Sequence, residues 1–283
     1  MSIKKLTFII ATAITLQLSG CATTSSTQSG TVGVDRKQYL GLVSEKEAEQ
    51  QSALAYQQTI KDAESKKLLN TDSQETQRVR AIAQRLIAQV GVFRPDALKW
   101  KWEVNVQESK EVNAYCMAGG KIMVYTGLID QIKPTDDELA AVMGHEISHA
   151  LREHVREQMS RARAQQLGLL GLAAVIGVTT KNADNATSTV ALGGTVAAVA
   201  LTLPNSRTAE HEADEMGLEL AARAGYNPDA AITLWQKMGS LGGSKPPEFL
   251  STHPADASRI ADLKSLMPKV RPLYEKAKVS KAN

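Results

Sequence analysis

His145-Glu146-Ile147-Ser148-His149 constrains this chain more than any other stretch. Two imidazoles four residues apart serve one metal ion only if the segment is an α-helix, where four residues advance about 400° and return to the same face. The flanking residues supply that helix. Thr135-x-x-Glu138 is a capping-box pattern, and Asp136, Asp137 and Glu138 put negative charge where the helix dipole favours it. Leu139, Met143, Ile147 and Leu151 recur every four residues as an apolar stripe, with His145, His149 and Val142 on a neighbouring face. One side is expected to pack and the other to carry chemistry. His154 falls about half a turn away on a continued helix and is expected at the surface.

Histidines in this spacing suit zinc, one ion per chain, and a catalytic zinc takes three protein ligands and keeps a position for water. The metal lowers the pKa of that water to roughly 7. Glu146 is placed beside it to accept a proton during attack on a peptide carbonyl, the chemistry of a metallopeptidase. The third ligand lies elsewhere, and Ser206 to Asp214 is a polar cluster opening a second helical run. Glu210 and Asp214 are one turn apart on one face, whereas Glu212 points about 200° from Glu210. This favours Glu210 as ligand and Asp214 as the carboxylate that receives the second N–H of a zinc histidine. His211 and Glu212 compete for the same part.

His145-Glu146-x-x-His149, Ser206-Arg207 and Glu210-x-x-Ala213-Asp214 together resemble the gluzincin peptidases of the HtpX, CAAX prenyl protease and periplasmic BepA and LoiP type. Asn113-Ala114 before a Gly-rich strand and Ser251-Thr252-His253-Pro254 extend the resemblance from about residue 75 to residue 265. It implies a zincin-type catalytic domain with Glu146 as the base and Glu210 as the third ligand. It also places the Asn113 to Tyr125 hairpin along the cleft, so that Asn113, Ala114, Gly119 and Gly120 bind substrate as an added β-strand. For Gly119-Gly120 a plain tight turn is the equal reading. The resemblance implies that His253, like the matching histidine of the related periplasmic peptidases, can reach the metal. Pro254 restricts His253 to extended geometry, so it is expected on a loop, swinging between capping the zinc and helping to stabilise an oxyanion. The implied substrates are unfolded or misassembled envelope proteins, with an assembly machinery as a further partner.

The first residues address location. Lys4 and Lys5, an apolar Leu6 to Leu18 and Leu18-Ser19-Gly20-Cys21 read as a signal peptide over residues 1–20 ending in a lipobox. Cys21 is then the lipidated residue, residues 21–35 a tether rich in Ser, Thr, Gln and Gly, and residues 36–283 the peptidase domain. With Ala22 following Cys21, the expected site is the outer membrane, facing the periplasm. Without residues 1–20 the chain has 31 basic and 30 acidic side chains, because Lys4 and Lys5 leave the total of 33, so nothing favours nucleic acid. Cys21 and Cys116 are the only cysteines, and acylation of the first excludes an intrachain disulfide.

The expected fold is mainly α-helical α+β. Val79, Ile82, Leu86, Ile87 and Val90 mark one further helix stripe, and a period of two between Leu98 and Tyr125 gives a small sheet beside the zinc helix. The Ala/Gly/Val-rich segments 167–179 and 189–203 are shorter than the roughly 20 residues of a membrane span. They are expected as a helical hairpin over the site, with lipid contact open. Asp229 to Met238 and Ala255 to Leu266 are expected helices, followed by a basic tail. Two other functions stand beside the peptidase: a weakly catalytic zinc lipoprotein that acts as a chaperone or assembly factor, and a protease embedded in the bilayer.

Overall fold

The computed structural model describes residues 23–180, 205–241, 248–253 and 257–282. Residues 1–20, Cys21 and the segment 189–203 lie outside them. Strands Thr23–Thr24 (β1) and Gln38–Tyr39 (β2) precede helices Glu45–Ser65 (α1) and Ser73–Ile87 (α2). Strands Glu103–Gln107 (β3), Ala114–Met117 (β4) and Lys121–Tyr125 (β5) follow, then helices Thr126–Ile132 (α3), Asp136–Leu151 (α4) and His154–Thr180 (α5). Helices Arg207–Arg223 (α6), Ala230–Ser240 (α7), Glu248–Thr252 (α8) and Ala257–Ala282 (α9) complete the described chain.

α4 starts where the sequence places it. Thr135 Oγ1 accepts the Glu138 N–H at 3.2 Å, and Glu138 Oε2 accepts the Thr135 N–H at 2.9 Å, a cap that contributes about 1 kcal/mol. Glu138 also accepts hydrogen bonds from Thr233 Oγ1 at 2.8 Å and Lys237 Nζ at 2.6 Å, which ties α7 to the start of α4. The helix is buried on nearly every face, not on one stripe: His145, Glu146 and His149 are enclosed along with Leu139, Val142, Met143, Ile147 and Leu151. Its chemistry-bearing face is therefore covered by other elements. The closest is α6, and the crossing is made at Gly144 and Gly217. A Cβ on Gly144 would lie 2.9 Å from the Gly217 carbonyl oxygen, and one on Gly217 2.7 Å from the His145 nitrogen. Two missing side chains let the backbones touch, and this brings α6 carboxylates within reach of α4 imidazoles.

The sheet has the order β3-β5-β4, with β3 and β5 parallel and β4 and β5 antiparallel. β4 is thus an edge strand. Gly119 (φ 76°) and Gly120 (φ 80°) make the β4–β5 turn in the left-handed region that glycine tolerates, and a Cβ on Gly120 would strike the Trp102 ring at 2.6 Å. Trp100 and Trp102, expected in the alternating strand pattern, precede β3 and stack near one another at 5.5 Å. The α2 stripe packs as expected, with Val79, Ile82 and Leu86 in the main core beside sheet and α4 residues. Cys116 is buried without a disulfide, as a small apolar residue would be.

The segment expected as a flexible tether, Thr23 to Gly33, is instead folded onto the domain. β1 pairs with β2. The N–H groups of Thr31 and Val32 donate to Glu219 Oε2 at 2.7 and 2.8 Å, and Val32 and Val34 enter the main core. A polar composition hides such docking, because backbone donors and hydroxyls that could equally face water, among them Ser25 and Thr27 accepting from Arg152, find partners on the domain. The C-terminal half also differs. His253 follows a short helix, α8, and does not lie on an open loop. α9 runs through Pro268 and Pro272 where a tail was expected, since Leu266, Met267 and Val270 bury into the core and outweigh the two lost helical donors. Residues 167–179 lie within α5. No helix among the described residues is long and apolar enough to cross a membrane.

Candidate metal centre

Two helices and the residue after a third converge on one point. His145 and His149 come from α4, Glu210 from the first turn of α6, and His253 from the end of α8, and one donor atom of each lies within 4.8 Å of the others. His145 Nε2 is 3.0 Å from His149 Nε2 and 3.3 Å from His253 Nδ1. Glu210 Oε1 is 2.9 Å from His253 Nδ1 and 3.3 Å from His149 Nε2. These spacings test the fit to zinc. Ligands about 2.0–2.1 Å from a tetrahedral ion are separated from each other by about 3.3 Å. The donor set matches in type and spacing.

Each expected ligand is held from behind. His145 Nδ1 donates to Asp214 Oδ1 at 2.9 Å, as the same-face reading of Glu210 and Asp214 anticipates. Burial opposes charge on His145, but hydrogen bonds to Asp214 and Glu210 outweigh it and raise the imidazole to about 9. A more basic ring is a better donor to a cation. Burial dominates at His149 and drives it far below the ordinary histidine value. Glu210 is also buried, which alone would favour its acid form. Hydrogen bonds from the three histidines overcome this and keep it a carboxylate.

Arg259 of α9 belongs to this site and carries no sequence signal. Its Nε and Nη2 donate to Asp214 Oδ2 and Oδ1 at 2.6 and 2.8 Å, and Nη1 lies 2.9 Å from Glu210 Oε2. One guanidinium therefore spaces the two carboxylates. Its carbon lies 3.9 Å from the centre of the Trp235 ring, which also meets His145 edge-on. Phe249 stacks on His253 at 4.5 Å and 28°. The His253 backbone N–H donates to Phe249 O at 2.8 Å. His253 is buried and seated, contrary to the swinging loop residue expected from Pro254.

Glu146 lies beside the cluster. Its Oε1 is buried, has no hydrogen-bond partner among the described residues and is 3.5 Å from His253 Nε2. Burial raises its pKa above the usual carboxylate value, the direction a proton acceptor near neutral pH requires. Asn113, Ala114, Tyr115 and Cys116 line a cleft together with Glu146, His149 and His253. Gly119 and Gly120 are not among its lining residues and serve the turn.

One side chain falls elsewhere than expected, and the two competitors of Glu210 are engaged away from the metal. His154 is 3 % exposed, not a surface residue, and its Nδ1 is 2.8 Å from His149 Nδ1. Glu212 does not compete for the metal: it is buried against His154, Arg152 and Arg36, contacts that outweigh desolvation and hold it at about 2. His211 pairs with Asp262 near the surface.

The geometry agrees with what the chain is similar to. It is 40% identical over 158 residues to the mitochondrial metalloendopeptidase OMA1 of Arabidopsis thaliana, covering 56% of this chain and 30% of that protein. It is 33% identical over 191 residues to the OMA1 metalloendopeptidase of Saccharomyces cerevisiae, covering 65% and 52%. It is 29% identical over 205 residues to the beta-barrel assembly-enhancing protease of Escherichia coli (strain K12), covering 70% and 40%. The chain thus spans about half or less of the length of these relatives. The sequence model of peptidase family M48 matches residues 73–267, more than half of the chain and all of the metal centre. By that match and by the four donors and the carboxylate it encloses, the chain belongs to peptidase family M48.

Proposed function

We propose that this chain is a zinc-dependent endopeptidase that cleaves unfolded or misassembled proteins of a bacterial cell envelope. The observation that carries the catalytic part is the Glu146 carboxylate beside His145, His149 and Glu210 at the wall of a cleft. Bound zinc supplies a Lewis acid for the scissile carbonyl and eases deprotonation of the attacking water. Glu146 Oε1 takes up that proton and returns it to the leaving amine. The edge strand β4 offers backbone groups to an extended peptide. Recognition through the backbone selects for a segment that can extend, which a folded protein does not present.

Location rests on the first residues. The Leu18-Ser19-Gly20-Cys21 pattern supports lipid attachment at Cys21 and an outer-membrane position facing the periplasm. One relative named for beta-barrel assembly fits that setting, whereas others are named as mitochondrial. In a bacterial host, envelope fragments are expected to accumulate with the wild-type chain and not with Glu146→Gln, and Cys21→Ala is expected to leave the outer-membrane fraction. Identical fragment profiles by mass spectrometry, or unchanged fractionation, contradict the respective part.

A second reading has one specific observation in its favour. His253 brings a fourth protein donor, and four protein ligands characterise structural zinc sites, as a zinc-containing chaperone or assembly factor would have. Under the peptidase reading His253 caps the metal at rest. His253→Ala is then expected to keep zinc and to raise basal cleavage of an unfolded protein severalfold. Lower turnover with zinc retained would assign His253 to the oxyanion. Loss of zinc with no cleavage in either protein would favour the structural site.

A further inference from the structure

His145 has a carboxylate behind it, and among the described residues His149 has none within hydrogen-bond reach of its Nδ1. The partner of His149 Nδ1 is another imidazole, His154, at 2.8 Å. The two residues are five apart, and on a continuous helix they would diverge by about 140°. They meet because the chain turns between α4 and α5: Glu153 adopts φ 52°, a left-handed conformation uncommon outside glycine and asparagine. Ion pairs from Glu153 to Arg94 at 3.1 Å and to Arg156 at 2.8 Å hold this corner. The corner folds His154 back over His149, with ring centres 4.8 Å apart.

The hydrogen-bond directions follow from the far end. Glu212 receives Arg152 at 3.0 Å and Arg36 at 2.7 Å, so it is a carboxylate and can only accept. His154 Nε2, 3.0 Å from Glu212 Oε2, must therefore be the donor. A neutral imidazole that carries its proton on Nε2 has a bare Nδ1. That nitrogen accepts the His149 Nδ1–H, which leaves the lone pair of His149 Nε2 facing Glu210 Oε1 and His145 Nε2. The tautomer a metal ligand needs is thus fixed two residues away from the metal. Arg36 lies in the segment beyond β1, so the docked N-terminal region reaches this chain of contacts as well.

We propose that His154 is a positioning residue of the metal centre, which relays the Glu212 carboxylate to His149 and fixes the tautomer and orientation of that ligand. The pair His154–Glu212 does for His149 through one intervening ring what Asp214 does directly for His145. Partners of this kind are worth roughly 10–100-fold in metal affinity. The proposal rests on the zinc-site reading and goes beyond it, because ligand identity alone requires neither residue.

The test uses the full chain and measures zinc affinity by competition with a chromophoric chelator, with thermal unfolding as the control for folding. His154→Phe keeps a ring but removes the acceptor, and is expected to weaken zinc binding roughly 10–100-fold. His154→Asn places an amide oxygen near the Nδ1 position and is expected to recover most of the loss. Affinity of His154→Phe within twofold of wild type overturns the relay, and so does equal weakening in both variants, which would mark a packing role only. Nitrogen-15 NMR of the wild-type imidazoles with zinc bound needs no variant to fold. It is expected to show protons on His149 Nδ1 and His154 Nε2, and a proton on His154 Nδ1 instead overturns the proposal. Failure of wild-type protein to bind zinc at all would count against the metal centre itself, a result distinct from these.

Discussion

Glu146→Gln is expected to keep zinc at the wild-type level and to lose on the order of 10²–10⁴-fold in the rate of cleaving an unfolded protein, the usual cost of removing a general base. The substitution preserves shape and the capacity to accept a weak hydrogen bond, but not a proton. Glu146 is not among the four residues whose donor atoms cluster, so metal content is insulated from the change. Its buried Oε1 has no hydrogen-bond partner to lose among the described residues, so little of the fold depends on it. Zinc content by mass spectrometry and cleavage of casein measure the two effects on one sample. Full activity in Glu146→Gln would remove this carboxylate from the mechanism.

Glu210→Ala is expected to strip the metal and abolish cleavage. Its Oε1 faces His253 and His149, and its Oε2 lies 2.9 Å from Arg259 Nη1, so the side chain is fixed from both ends. Arg259 retains two hydrogen bonds to Asp214 in this variant, and the helices α6 and α9 are expected to stay docked. Circular dichroism checks that, and zinc content reads the ligand loss. Asp214→Ala is expected to act differently, lowering metal affinity roughly 10–100-fold through His145 while Arg259 keeps its contact with Glu210. Retention of zinc by Glu210→Ala would exclude Glu210 as the third ligand.

The parts of this site that sequence periodicity can reach are those on a single regular helix. The start of α4 follows from Thr135 and Glu138, the common face of His145 and His149 from a spacing of four, and the relation of Glu210 to Asp214 from the same spacing. What lies beyond depends on where helices turn or touch. His154 is misplaced by any continuous-helix reading, because one left-handed residue, Glu153, redirects it. Arg259 is invisible because its two carboxylates lie in α6, more than forty residues earlier in the chain. The approach of α6 to α4 depends on Gly144 and Gly217 meeting, and neither glycine marks its partner. Thr23 to Gly33 reads as a tether since its small polar residues suit solvent, whereas in the fold both its hydroxyls and its backbone N–H groups find partners on the domain.

One zinc held by His145, His149 and Glu210 is expected to be what makes this chain a peptidase. The most direct measurement strips the protein with a chelator, returns zinc in steps and follows cleavage of an unfolded protein against metal bound. The stripped protein is expected to show no cleavage, and activity is expected to rise with bound zinc to a plateau at about one ion per chain. Cleavage that persists after stripping, or that does not track bound zinc, would contradict it.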